Sequence, residues 1–142
     1  MTPDITVANV KEYIKDGRVR LPGHAVYVGR FNGRYGLPHS PLHNRAKIGE
    51  VENDGTIVTR KKAVFYFSIL FIVAMGAKRP TSKIKEFRRE VDRLWAVYEK
   101  YGKLILVCWC YPKLCHAGVI VLYMLAELKK KKRKKIPRRV EK

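Results

Sequence analysis

All three cysteines of this chain and one of its four histidines lie within nine positions, in "CWCYPKLCH", residues 108 to 116. Three kinds of chemistry use such a cluster. Thiolates and imidazole are common zinc donors. A thiol beside an imidazole makes a nucleophile or redox centre with its own proton carrier. Free cysteine is also a small buried hydrophobe. As zinc ligands, Cys108, Cys110, Cys115 and His116 would form C-x-C-x4-C-H, which is not a standard structural spacing. Adjacent Cys and His side chains seldom reach one ion, so three ligands with an open position are easier to build. As a reactive centre, Cys110 or Cys115 would be the thiol and His116 the base, which makes these three the catalytic candidates. As packing, the cysteines would fill the core and His116 would make a capping hydrogen bond. The residues alone leave all three readings open.

The elements around the cluster put it at a junction where sites can form. "KLILVCWC" is the strongest strand pattern in the chain, an apolar run of the kind buried on both faces of a sheet. On that strand Cys108 and Cys110 share one side and Trp109 takes the other. A helix is expected from Leu114 to Leu128, which puts Cys115 and His116 at its first turn, where the helix dipole favours a thiolate. In open α/β sheets ligands bind at this strand-to-helix junction.

Upstream, "ITVANV" and "HAVYVG" read as strands. Thr59 is placed to cap a helix from Arg60 to about Ala77, and Thr81 or Ser82 to cap a second with Ile84, Phe87, Val91, Leu94, Trp95 and Tyr98 at helical spacing. Gly102 would stop it. The expected fold is therefore a small three-layer Rossmann-like α/β domain, a short sheet flanked by about three helices. It would span residues 1–128, with a basic, disordered tail over 129–142.

Residues 30 to 55 form a long Gly- and Pro-punctuated loop, and loops of that length tend to be functional. Arg30, at a strand end, can grip a phosphate or carboxylate bidentately. Ser40, Asn44 and Lys47 add short polar groups and charge, so these four are the ligand-binding candidates. His39 and His43 flank Ser40 and could serve as metal ligands or acid–base groups. His24, at a strand start, reads as structural.

The formal net charge is +19, and the last fourteen residues carry ten basic side chains against the single acid Glu141. Roughly half the excess thus belongs to the rest of the chain. Such a field attracts polyanions, nucleic acid first. No base-reading motif is visible, so nucleic-acid contact would be non-specific. The opening "MTPDITVANVKEY" has no apolar signal region, and cysteines crowded into one segment are unlike a secreted disulfide framework. The expected setting is the cytoplasm, that of a host cell if the protein is viral. No glutamine and an abundance of Lys, Arg, Val and Ile lean towards a thermophilic source. "AVFYFSILFIVAMGA" is fifteen residues without a charge, too short to span a bilayer and more typical of a core helix. Its basic flanks leave an interfacial membrane alternative.

The cysteine stretch resembles the "CWC-x-P-x-x-CH" signature of a family of small uncharacterised proteins from phages, bacteria, archaea and their viruses, a domain of unknown function. "VYVGR" at Val26 to Arg30 is similar to that family's "VYIGR", "SPLHNRAKIG" at Ser40 to Gly49 to its "SPLGNPFKIG", and "TRKKAVFYF" at Thr59 to Phe67 to its "TREEAIEKY". Arg45-Ala46 replaces a Pro-aromatic pair, and Ala117 replaces a glycine. The resemblance implies one shared site, with no reaction attached. Taken together, the expectation is a Cys/His pocket that binds or processes a nucleotide or nucleic-acid substrate, with zinc as a possible cofactor. The alternative is a non-enzymatic, sequence-nonspecific nucleic-acid-binding protein whose cysteines hold structural zinc or pack.

Overall fold

A computed structural model describes residues 3–140, and side-chain surroundings as far as residue 131. Three parallel strands form the central sheet: β1 (Ile5–Asn9), β4 (Ala25–Tyr27) and β5 (Leu104–Cys108), in the order β1-β5-β4. A small antiparallel hairpin, β2 (Ile14–Lys15) and β3 (Arg18–Val19), lies between β1 and β4 in sequence. The helices are α1 (Arg60–Gly76), α2 (Ser82–Tyr101) and α3 (His116–Val140). This is the small α/β domain expected from the sequence.

The apolar run of β5 makes it the middle strand. Leu104, Leu106 and Cys108 face one core, which takes Phe67 and Phe71 of α1, Phe87, Val91 and Leu94 of α2, and Ala117, Ile120 and Met124 of α3. Val107, with Ile105 and Trp109, faces a second core of Val10, Ala25, Tyr27 and Leu37. All three helices thus cover one face. The other face is covered by the hairpin, two short 3-10 turns (Val10–Tyr13 and Gly33–Tyr35) and the neighbouring loops, with no α-helix among them.

Local chemistry sets the helix ends. Thr59 and Thr81 hydroxyls accept from Lys62 and Ile84 N–H, and Gly102 ends α2 in the left-handed region (φ 70°). The C-terminal carbonyls of α1 are taken up by Arg88 of α2, which donates to Ala74 at 2.9 Å and to Ala77 at 2.5 Å. The hairpin turns on Asp16 and Gly17, both at positive φ, as a two-residue primed turn requires. The third helix runs past the expected end at Leu128. The side chains from residue 132 onward, and residues 141–142 of the expected tail altogether, lie outside the described residues.

No helix among the described residues is long and apolar enough to cross a membrane.

Candidate functional site

The carboxyl ends of β4 and β5, the loop after β4 and the first turns of α1 and α3 enclose a cavity of about 500 Å³. That volume is in the range that holds a small organic ligand. Cys108, Cys110, Cys115 and His116 all contribute to its wall, together with Arg30, Asn44, Lys47, Arg60 and the rings of Tyr27, Phe31 and Trp109.

Within it the fold brings two sulfurs together. Cys108 Sγ and Cys115 Sγ are 3.1 Å apart, both residues are buried, and both thiols are free. Cys115 immediately precedes α3; its carbonyl accepts from Gly118 N–H (3.1 Å), and the Ala117 and Gly118 amides favour negative charge on its sulfur. Cys108 ends β5, where the backbone amides of Cys110 and Tyr111 favour negative charge on its sulfur. One proton between two sulfurs suits this geometry: Cys115 donates its S–H to a Cys108 thiolate. The hydrogen bond from Cys115 is the main cause that lowers the Cys108 thiol to about 6, helped by the two amides and the charge of Arg60 and opposed by burial. The Cys115 thiol is pushed far up, because losing its proton would end that bond and set a second negative charge beside the first.

His116 is buried, and its Nε2 donates to the Val28 carbonyl at 2.8 Å while its ring packs edge-on against Phe67. Burial pushes its pKa down, so the ring is neutral. It ties the start of α3 to the end of β4. The expected zinc set is not assembled: among the described residues no three Cys, His, Asp or Glu side chains come together as a metal site.

The loop candidates hold the mouth in shape. Arg30 donates from Nε and Nη2 to the Asn44 carbonyl (3.1 and 2.7 Å) and from Nη2 to Ala46 (3.1 Å). Two of its three nitrogens are thereby spent on main chain. Asn44 donates to the Ala63 carbonyl of α1 and accepts from Ala46 N–H. Ser40 is buried and accepts from Leu42 N–H. Lys47 is exposed at the rim. Outside the cavity wall, His39 Nδ1 accepts from Phe31 N–H, and His39 and His43 join through their Nε2 atoms at 3.0 Å. His24 lies near Tyr101, away from the site.

Three contributors escaped the reading of the sequence. Arg60 reaches the Leu114 carbonyl (3.4 Å) and lends its charge to Cys108. Asn9 sits opposite Cys108 in the parallel register, and its Nδ2 holds the carbonyls of Trp109 (3.1 Å) and Tyr111 (2.7 Å). Tyr27 donates to the Arg30 carbonyl (2.6 Å) and accepts from Trp109 Nε1 (3.1 Å). Its ring occupies the space where a Cβ on Gly29 would stand, which explains glycine there. The helix-capping pattern gave a reason to look at Arg60. Tyr27 stood inside the "VYVGR" stretch without a role assigned to it, and nothing local marked Asn9.

No curated protein and no solved structure matches the chain. The stretches "VYVGR", "SPLHNRAKIG" and "CWCYPKLCH" all fall within residues 12–126, which match the domain of unknown function DUF4326, and the chain belongs to that family.

Proposed function

We propose that this protein binds and chemically processes a nucleotide or a nucleic-acid end, with the Cys108–Cys115 pair as its reactive group. The observation that carries the reading is the pair itself: two buried sulfurs 3.1 Å apart on a cavity wall that also carries Arg60 and Lys47. A thiolate stabilised at neutral pH is a nucleophile without a separate base. His116 then has no need to act as one. Cys108 takes the role assigned to Cys110 or Cys115 from the sequence, and Cys115 supplies the proton that steadies it. Phe31, Trp109 and Ile48 give a base or sugar apolar surface, and Lys47 at the rim attracts phosphate.

The test is alkylation of Cys108 by iodoacetamide, followed by peptide mass spectrometry, with and without nucleoside mono- and triphosphates. Protection by a nucleotide, and no protection by inorganic sulfate at equal ionic strength, supports the reading. Equal alkylation with and without every nucleotide and short oligonucleotide overturns it.

The charge distribution favours a second reading, non-specific nucleic-acid binding through residues 129–142. It predicts DNA affinity that falls steeply with salt and is lost on deletion of that stretch, with Cys108 alkylation untouched by DNA.

A further inference from the structure

The first helix is apolar on two sides, and the core uses only one. Ala63, Phe67, Phe71 and Ala74 are buried, whereas Phe65, Ile69, Ile72 and Val73 are 57, 45, 71 and 57 % exposed. The exposed four are spaced i, i+4, i+7 and i+8, so they form one continuous stripe along α1. Polar groups on this side are already occupied: Ser68 Oγ donates to the Phe65 carbonyl, and the Tyr66 hydroxyl donates to Glu52. The stripe offers no free directional group, and a partner surface would find only hydrocarbon to recognise.

Its ends are cationic. Exposed Lys61 precedes the stripe by one turn, and exposed Lys78 and Arg79 follow the helix. A second copy of the chain would bring those same lysines and arginines against their equals, in a protein of formal charge +19. An anionic lipid surface answers both features at once. Its acyl boundary accepts side chains with no hydrogen-bonding demand, and its headgroups neutralise the flanking cations. We propose that α1 lies flat on anionic membranes, with Phe65, Ile69, Ile72 and Val73 dipped into the acyl boundary and Lys61, Lys78 and Arg79 at the headgroups. The opposite side of the helix stays in the core, so the helix lies on the bilayer without crossing it. This inference is independent of the thiol pocket.

The test is co-sedimentation of the full chain with phosphatidylcholine vesicles and with vesicles containing about one-third phosphatidylglycerol. The charge-neutral double substitution Phe65→Gln with Ile72→Gln separates the stripe from simple charge attraction, and Ile69→Gln with Val73→Gln repeats the test at the other two positions. The expected result is binding to the anionic vesicles only, weakened at least about tenfold in both variants, a loss of at least about 1.4 kcal/mol. An unchanged circular-dichroism melt and unchanged Cys108 alkylation certify the fold. Variants that bind as tightly as the parent overturn the proposal, since charge elsewhere then does the adsorbing. So does a failure of the parent to bind anionic vesicles. A dimer that the substitutions dissociate, in a parent that ignores vesicles, also overturns it by making a second copy the occupant.

Discussion

The Cys115 sulfur, at the start of α3, stands 3.1 Å from the Cys108 sulfur at the end of β5, and the nearby Ala117 and Gly118 amides favour negative charge on it. One thiol therefore links a helix N-terminus to a strand end. The helix amides draw electron density from Cys115, which makes its S–H a better donor to Cys108. Negative charge on the pair is stabilised from three directions: the α3 amides through Cys115, the amides of Cys110 and Tyr111, and Arg60. Neither cysteine has this property alone.

Alkylation should report that coupling directly. The rate at Cys108 is expected to rise with pH around an inflection near about 6, below the ordinary thiol range. Cys115→Ala removes the S–H donor. The inflection should then move up by on the order of 1 to 2 pH units, the equivalent of one charge-assisted hydrogen bond. Cys110→Ser should leave it in place. An inflection above about 8, the free-thiol range, in the parent would mean that Cys108 is no thiolate at neutral pH.

Stability should follow pH with a maximum on the mildly alkaline side. Cys108 has a folded pKa of about 6, below its unfolded value of about 8.5. Between those two values the unfolded chain binds the extra proton, so stability rises with pH there and is lost as pH falls through the folded pKa. Cys115 has a raised folded pKa. Its contribution is present below the unfolded thiol value and is lost as pH rises past it. His116, lowered by burial, adds a further loss of stability on the acid side once the unfolded imidazole begins to protonate. Chemical denaturation at a series of pH values checks this. In Cys108→Ser with Cys115→Ser the maximum should flatten, leaving the acid slope of His116.

What the sequence made legible was local or strongly periodic. The helix starts at Thr59 and Thr81, the stop at Gly102 and the buried strand through Leu106 are each specified within a few residues. The Asp16-Gly17 turn was equally local, but its strands are two residues long and carry no alternation to draw attention. Arg30 was legible as a cation and not as a brace, because its partners are the main-chain carbonyls of Asn44 and Ala46 and depend on the path of the loop. The apolar count of "AVFYFSILFIVAMGA" suggested a core helix without telling which side the core would leave open. The thiol pair required two residues seven positions apart to fold back across a turn, a geometry that no spacing rule supplies.

The Tyr27 hydroxyl gives a separate handle on the pocket. It bridges the Arg30 carbonyl and Trp109 Nε1, so Tyr27→Phe leaves the indole N–H without its partner. The expected cost is about 1–3 kcal/mol, visible as a lower denaturation midpoint with an unchanged slope. Gly29→Ala should do more, because a Cβ there meets the Tyr27 ring and hydroxyl inside contact distance and the ring must leave. In that variant Trp109 fluorescence should shift as its surroundings open. Trp95, on α2, provides the unshifted background.

Asn9 tests whether the strand end must be held for the thiols to meet. Its Nδ2 donates to Trp109 and Tyr111, on either side of Cys110, and its Oδ1 accepts from Lys11 N–H. The register sets Asn9 beside Cys108 itself. Asn9→Ala deletes three hydrogen bonds and frees the turn that presents the Cys110 and Tyr111 amides to Cys108. Asn9→Asp keeps the Lys11 contact but replaces the donor with an acceptor that faces two carbonyls, so it should be the worse substitution at neutral pH. Both variants should move the alkylation inflection upward, as Cys115→Ala does, although neither touches a sulfur. Acid should recover part of the Asp variant's loss, since a protonated carboxyl can again donate to one carbonyl. The measurement is the alkylation profile of both variants beside their unfolding midpoints. An inflection that stays near about 6 while the midpoint drops would make Asn9 a brace of the fold alone.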